Sequence, residues 1–290
     1  MFLQQLLNGL LLGSMYSLVA IGYSLIFGIL NLLNLAHGEV FMIGGFVGLY
    51  VAVNLHQPIL VSVVAAAVGA GLCGLVLEIT CFRYIKKEYP MAPLLATVGF
   101  ALILSNLASL VSGAEPRMFP MEIDLGHLQV GSLYISNLQL TMFVFAVLLM
   151  VVIDLIVKKT KIGRFMRATA ENADLSRLVG IDIRQVTRII LVLSSALGGA
   201  AGILVGMRMG KVSPFIGSTI GLKSLAIMVI GGLTDVRGSM FTGLIIGVIE
   251  VLVVAYLSSA YVDGVVWVLL IMILLYRPSG LFGSPQAGML

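Results

Sequence analysis

Charged residues are scarce in this chain of 290 residues, and tryptophan and cysteine are almost absent. Asp, Glu, Lys and Arg make up 10% of the sequence, tryptophan occurs once and cysteine twice. A soluble domain carries about 25% charged residues, so the composition excludes an ordinary soluble fold. Because 60% of the residues are hydrophobic and the mean hydropathy is +1.12, the sequence predicts an integral membrane protein.

The few cysteines and histidines predict neither a structural disulfide nor a metal site. Cys73 lies within an apolar run and Cys81 lies at its end, so neither is placed for an oxidised pair. His37, His56 and His127 are scattered and lack the spacing of metal ligands. We therefore expect no metal and no cofactor.

Motifs for catalysis and for nucleotide binding are also lacking. The sequence contains no G-x-S-x-G nucleophile elbow, no H-E-x-x-H zinc motif and no paired carboxylates. The segment GSTIGLKS (217–224) comes nearest to a phosphate loop, but Leu222 separates Gly221 from Lys223. We expect no enzymatic activity and no ATP binding. The net charge of +4 arises from basic residues in loops beside the apolar runs, where topology and anionic lipid account for it, so nucleic-acid binding is not expected.

Long apolar runs fill almost the whole chain and leave no room for a separate soluble domain. A hydrocarbon interior admits only structures whose backbone groups pair internally, so these runs predict helices. At about 20 apolar residues per span, we expect an all-α, polytopic transmembrane helix bundle of eight or nine spans that forms one domain, residues 1–290. The apolar runs are 6–30, 37–54, 59–80, 93–112, 138–157, 189–208, 219–233, 239–257 and 262–276.

Basic residues cluster in the loops of one side, which the positive-inside rule assigns to the cytoplasm. Thirteen of the 17 Lys and Arg residues fall there: three at 83–87, eight at 158–188, and Arg237 and Arg277. Nine passes would then place the N-terminus outside and the C-terminus inside. The segment 211–238 is interrupted by Gly and Pro and is a candidate broken or re-entrant element, so eight spans remain an alternative.

Two further segments, 31–48 and 231–247, are short apolar stretches interrupted by Gly. This pattern points to a translocation site, because unwound backbone is tolerated in a membrane only where it is buried or lines a cavity. Both contain G-x-x-F, which reflects either an internal repeat or a chance similarity between Gly-rich spans. Helix capping is the alternative role for each candidate path-lining residue. These candidates are Asn31, Asn34, His37, Glu39, Thr234 and Ser239.

Acidic side chains also fall within or at the ends of the predicted spans, where an unpaired charge is costly. Asp154 and Glu78 each precede a basic residue by four or five positions, which favours ion pairs near the inner ends of their helices. Glu39 and Glu250 have no such neighbour. They fit either a functional role or a cap or interhelical hydrogen bond. Two carboxylates are too few to favour an ion-driven carrier.

The segment 158–188 is a charged, amphipathic stretch in a chain that is otherwise almost entirely apolar. It carries eight of the 17 basic residues. An apolar face amid Arg and Glu suits a helix that docks in the groove of a partner. The alternative is an interfacial helix that lies on anionic lipid. The apolar residues are Phe165, Met166, Ala170, Leu175, Leu178 and Val179.

Four segments carry a family likeness that extends over nearly the whole chain. They are NLLNLAHGEVFMIGGFVG (31–48), GRFMRATAENADLSRLVGID (163–182), SSALGGAAGILVG (194–206) and YRPSGLFG (276–283). These segments resemble the branched-chain amino acid ABC-transporter permeases, and the N-L-A-H-G-E and R-P-x-G-L-F-G motifs are the most specific part of the likeness.

The resemblance implies the smaller permease subunit of a bacterial importer in the inner membrane. Its partners would be a second permease, two ATPase subunits and a periplasmic substrate-binding protein that docks on the outer loop 113–137. Urea, short amides and other small amino acids are alternative cargoes, and a stand-alone ion-coupled carrier is the alternative class.

The resemblance also implies a cytoplasmic coupling segment, about 158–188, with a loose Glu-Ala and Gly pattern that contacts the ATPase. The candidate contacts are Gly163, Arg164, Arg167, Glu171, Ala173, Leu178, Gly180 and Ile181.

Overall fold

The computed structural model describes residues 2–83, 91–119, 126–130 and 133–283, and α-helices account for most of them. A π-helical turn, Glu78–Arg83, extends α3, and a 3₁₀ turn, Ser259–Tyr261, leads into the last helix. The α-helices are α1 Phe2–Leu30, α2 His37–Val53, α3 Ile59–Leu77, α4 Met91–Ser112, α5 Asn137–Lys159, α6 Lys161–Glu171, α7 Ala173–Leu178, α8 Ile183–Met209, α9 Ile216–Gly231, α10 Val236–Tyr256 and α11 Val262–Tyr276.

Seven helices of the described chain are long and apolar enough to cross a membrane. This confirms the predicted polytopic helical bundle, although the count is lower than eight or nine. The two other apolar runs form the shorter helices α2 and α9, of 17 and 16 residues. At a rise of 1.5 Å per residue they extend about 25 Å, less than the roughly 30 Å of a hydrocarbon core. The number of long spans is lower than predicted because non-helical backbone precedes α2 and α9 and leaves both helices short.

Two short antiparallel ribbons accompany the helices. β1 Arg117–Met118 pairs with β4 Lys211–Val212 and ties the start of the loop after α4 to the connection between α8 and α9. β2 His127–Val130 pairs with β3 Leu133–Ser136 just before α5. The predicted outer loop 113–137 is therefore partly extended, and residues 120–125 and 131–132 of it lie outside the described residues.

The helices α1 and α8 form the centre of the bundle. Their apolar windows are 83% and 78% buried, whereas that of α11 is 6% buried. Glycines bring the backbones together. A Cβ at Gly202 of α8 would overlap the carbonyl oxygen of Phe41 in α2, and a Cβ at Gly243 of α10 would overlap Ser17 of α1. Close packing of small residues therefore fixes the relative positions of these helices.

Ion pairs join helix ends on one side of the bundle. This is the side that the basic loops assign to the cytoplasm. Arg237 donates two hydrogen bonds of 2.9 Å to Asp154, which also pairs with Lys158 at 3.0 Å. Glu78 pairs with Arg83 at 3.1 Å. Lys158 and Arg83 are the partners that the sequence spacing of Asp154 and Glu78 suggested. Arg237 is an additional partner of Asp154. Lys86 and Lys87 of the predicted inner loop lie outside the described residues.

We expect Gly202→Ala to lower the thermal stability of the purified protein. The added methyl group has no room beside the Phe41 carbonyl and the Gly45 amide, and overpacking of this kind costs about 1–3 kcal/mol. Gly99→Ala in α4 is the control, because no heavy atom lies within 4 Å of the position that its methyl group would take. Thermal unfolding in detergent, monitored by size-exclusion chromatography, compares the two. Equal melting temperatures would contradict the packing described here.

Candidate functional site

The first turns of α2 and α9 meet inside the bundle. A Cβ at Gly221 of α9 would stand 2.8 Å from the Cα of Gly38, which shows how closely the two backbones approach. His37, the first residue of α2, lies against Gly22 of α1. Gly22 precedes the end of α1 by eight residues, or about 12 Å. The chain therefore returns from the end of α1 into the bundle before α2 begins, which is the broken helix that the sequence predicted for 31–48.

A cleft of about 630 Å³ opens beside this meeting point, between α4 and α9. Tyr23 and Glu39 lie on its lining, together with apolar side chains such as Leu102 and Leu222. Glu39 is 6% exposed, and its Oε2 has no hydrogen-bond partner in the described part of the chain. The cleft therefore holds a buried carboxylate, one oxygen of which has no partner among the residues that the structure describes.

The other candidates in 31–48 occupy different surroundings. Asn34 is buried, and its Oδ1 accepts a hydrogen bond of 3.1 Å from the backbone amide of Ala36, a turn contact before the start of α2. His37 is fully buried with its ring edge-on to Tyr23, 4.7 Å between ring centroids. Asn31 is exposed and has a positive φ of 52° just after α1. Of these four predicted residues, only Glu39 lines the large cleft.

The candidates from the second predicted segment lie elsewhere. Thr234 lines a smaller cleft of about 210 Å³ at the inner ends of the helices, near Asp154 and Arg167. Ser239 is fully buried in α10, beside Gly231 of α9. The six candidates therefore do not line one common cavity. Their role in a translocation path stays a prediction.

Sequence reasoning did not identify the polar residues of the cleft wall. Ser105, Asn106 and Ser109 lie on α4, and Ser218 lies on α9. Ser105 and Ser109 are four residues apart and share one face of a helix. That spacing within the apolar run 93–112 was the available signal.

A second polar cluster joins four helices near the predicted outer side. The Lys223 ammonium on α9 lies 2.8 Å from Oε1 of Glu250 and 2.7 Å from Oδ1 of Asp263. The Tyr16 hydroxyl donates a hydrogen bond of 2.8 Å to Oε2 of Glu250. Both oxygens of Glu250 are therefore satisfied, which favours the structural alternative for this residue. Lys223 is one of the basic residues that fall outside the predicted inner loops, and the sequence did not identify it as the partner of Glu250.

The predicted coupling segment folds into two short helices, α6 and α7. Asn172 separates them, and its Oδ1 accepts hydrogen bonds of 3.0 Å from the amides of Asp174 and Leu175 at the start of α7. Gly163 packs against the Val157 carbonyl at the end of α5. These contacts hold α6 against the inner end of the bundle.

Apolar side chains of this segment point in two directions. Met166 is fully buried and anchors α6, whereas Phe165, Leu175, Leu178 and Val179 are 47%, 59%, 83% and 77% exposed. We call these four residues the exposed apolar face. Among the predicted contacts, Arg164, Arg167, Glu171, Leu178 and Gly180 are exposed, Ala173 and Ile181 are half-buried, and Gly163 is buried.

Comparisons with known proteins define the class to which this architecture belongs. Residues 5–275 match the family described as "Branched-chain amino acid transport system / permease component". The chain belongs to this family of transport permeases, which is not a class of enzymes. This agrees with the resemblance found in the sequence and confirms a multi-pass protein of the inner membrane.

Individual relatives match over almost their whole length. The high-affinity branched-chain amino acid transport system permease protein LivH of Escherichia coli K12 is 34% identical, covering 98% of this chain and 96% of the relative. BraD of Pseudomonas aeruginosa, of the same description, is 32% identical, with 98% and 97% covered. A probable LivH of Methanocaldococcus jannaschii is 32% identical, with 92% and 88% covered.

We expect Lys223→Met to destabilise the protein by about 3–5 kcal/mol, because it leaves Glu250 as an uncompensated buried charge. The double variant Lys223→Met/Glu250→Gln removes that charge and should recover part of the loss. Thermal unfolding of the two single variants and the double variant gives the coupling between the residues. Strictly additive effects would contradict a direct ion pair.

Proposed function

We propose that this chain is a permease subunit of an ABC importer that carries branched-chain amino acids inward across the membrane. The cleft between α4 and α9 would form its half of the translocation path. The observation that carries the proposal is the meeting of two short helices, each preceded by non-helical backbone, at a cleft with a buried carboxylate, in a member of a branched-chain amino acid permease family. Discontinuous helices near the membrane midplane are typical of substrate paths.

The surface of α4 supports a second permease as a partner. Asn106 is exposed and Ser105 and Ser109 are half-buried on a helix whose remaining outward residues are apolar. Polar side chains in a membrane segment usually face protein or a water-filled cavity rather than lipid. A second permease, as a different chain or a second copy, would cover this surface and close the cleft.

The exposed apolar face supports docking of the ATPase subunits. Apolar side chains on a polar segment that faces the cytoplasm fit the groove of a partner protein better than water. Leu178 and Val179 are the most exposed of the four. ATP would be bound and hydrolysed by those partners, since this sequence carries no nucleotide motif.

The contacts of α6 offer a route from the docking surface to the bundle. Arg167 of α6 donates a hydrogen bond to the Val157 carbonyl of α5. Asp154, one turn earlier on α5, is bound by Arg237 at the start of α10. Closure of the ATPase pair would therefore shift α5 and α10 together and alternate the access of the cleft between the two sides.

The periplasmic binding protein would deliver the amino acid at the opposite end. The β1–β4 ribbon connects residues after α4 and after α8, the two ends nearest the cleft mouth. A protein that contacts this ribbon could separate α4 from α9. Cargo selection would rest mainly on that binding protein, and the permease needs only a weak site.

We expect vesicles that contain the complete importer to accumulate leucine, isoleucine and valine only when the binding protein outside and ATP inside are both supplied. Radiolabelled amino acids measure the uptake. Urea and acetamide are the competing cargoes, and uptake of these instead would replace the proposed substrate. Uptake by this chain alone, without ATPase subunits, would instead indicate a carrier.

We expect Leu178→Glu to abolish co-purification of the ATPase subunits without unfolding the permease. The side chain is 83% exposed, and substitutions at such positions change stability by about 0.5 kcal/mol or less. Gln57→Glu adds the same charge at an exposed site between α2 and α3, outside the coupling segment, and serves as the control. Tagged permease purified from membranes shows the ATPase content directly. A normal complement in Leu178→Glu would rule out docking through this face.

A further inference from the structure

Glu39 differs from the other acidic residues of the membrane-spanning helices in its surroundings. Glu78 is paired with Arg83, Asp154 with Lys158 and Arg237, and Glu250 with Lys223. Glu39 pairs with no Lys or Arg in the described part of the chain, and no basic residue lines its cleft there. A buried carboxylate without a cation is unfavourable in a membrane protein unless a proton or a mobile cation neutralises it.

The amino-terminal turns of two helices lie beside Glu39. Glu39 lies in the first turn of α2, and a Cβ at Gly217 in the first turn of α9 would stand 2.5 Å from its Oε2. The amino-terminal ends of both helices carry partial positive charge. Oε2 lies against this backbone and still lacks a hydrogen-bond donor among the described residues. Oε2 can therefore accept a hydrogen bond from a ligand, and a positively charged donor fits this position best.

The rest of the cleft limits what kind of cation fits. Leu35, Val98, Leu102 and Leu222 provide apolar contacts, and the neutral polar side chains are those of Ser105, Asn106, Ser109 and Ser218. The groups described there offer one carboxylate only, so a divalent metal ion would lack the several anionic ligands that hold such ions in proteins. A primary ammonium attached to a short aliphatic chain matches both the carboxylate and the apolar surface. The volume of about 630 Å³ leaves room for such a molecule and water.

From these observations we infer that Glu39 binds the ammonium group of the amino acid while it passes through the cleft. The inference rests on the proposed function for the identity of the cargo. Its structural basis is independent, because the unpaired carboxylate and the apolar lining would accept any short aliphatic amine. Glu39 is thereby the charged substrate contact of this permease, and the apolar residues of the cleft wall pack against the aliphatic side chain.

Carbodiimide labelling tests the site without transport. A hydrophobic carbodiimide converts a carboxyl group that it reaches into a stable N-acylurea, which mass spectrometry locates on the peptide. The amine can itself attack the activated carboxyl to form an amide and release the urea, so both the N-acylurea and the 3-methylbutylamide of Glu39 are counted. In the assembled importer, 3-methylbutylamine should lower this total modification of Glu39, whereas 3-methylbutanoate and 3-methylbutanol should not. Glu250, which Lys223 and Tyr16 already satisfy, is the internal control, and the amine should leave its labelling unchanged. Equal total modification of Glu39 with and without the amine, or no modification at all, would overturn the inference.

Substitution of Glu39 tests the same contact during transport. Glu39→Gln keeps the shape and removes the charge, so leucine uptake per ATP hydrolysed should fall about tenfold. ATP hydrolysis stimulated by the loaded binding protein should stay within about twofold, which shows that the complex assembles. Glu39→Asp keeps the charge and should recover part of the uptake. Wild-type uptake in Glu39→Gln would overturn the inference.

The two experiments separate the inference from the proposed function. If the wild-type importer fails to accumulate leucine, the proposed cargo is wrong, and the amine-protection result still decides whether Glu39 binds an aliphatic ammonium. If leucine is accumulated but neither protection nor loss of uptake is seen, the proposed function stands and the role of Glu39 falls.

Discussion

Hydrocarbon offers no hydrogen bonds, and this constraint determines where every polar group of the chain is placed. Glu78, Asp154 and Glu250 in the spans each pair with Lys or Arg, and Glu250 also accepts a hydrogen bond from Tyr16. Non-helical backbone occurs at 31–36 and 213–215, where neighbouring helices or the cleft surround it. Among the acidic side chains of the described apolar helices, Glu39 is the exception, because it has neither a cation nor a donor at Oε2. An exception to so strong a constraint is the clearest indication of function in the molecule.

Glycines allow the first turn of α2 to pack closely against its neighbouring helices. The first turn of α2 is surrounded by Gly22 of α1, Gly198 of α8, and Gly217 and Gly221 of α9, and a Cβ at any of these positions would crowd His37, Gly38 or Glu39. Larger side chains would push the start of α2 away from the centre of the bundle. These glycines therefore allow the Glu39 carboxylate and the amino-terminal turns of α2 and α9 to lie together. They contribute no side chain to the site themselves.

Much of this fold could be predicted from hydrophobic runs, since each of the nine runs forms a helix. The spacing of Asp154 from Lys158 also predicted a pair, because one helical turn separates them. The bond between Asp154 and Arg237 could not be predicted, because the residues are 83 positions apart and only packing of α5 against α10 brings them together. For the same reason the sequence proposed Glu39 but not the wall of α4 opposite it.

The helix α10 connects the two ends of the molecule mechanically. Arg237 at its inner end binds Asp154 beside the coupling segment, and Glu250, thirteen residues or about 20 Å further along, binds Lys223 of α9. Lys223 lies two turns from Gly217, whose backbone borders Glu39. A helix that is pinned by ion pairs at both points moves as one body. Displacement at the docking surface would therefore reach the first turn of α9 and change the shape of the cleft without any deformation of the helices themselves.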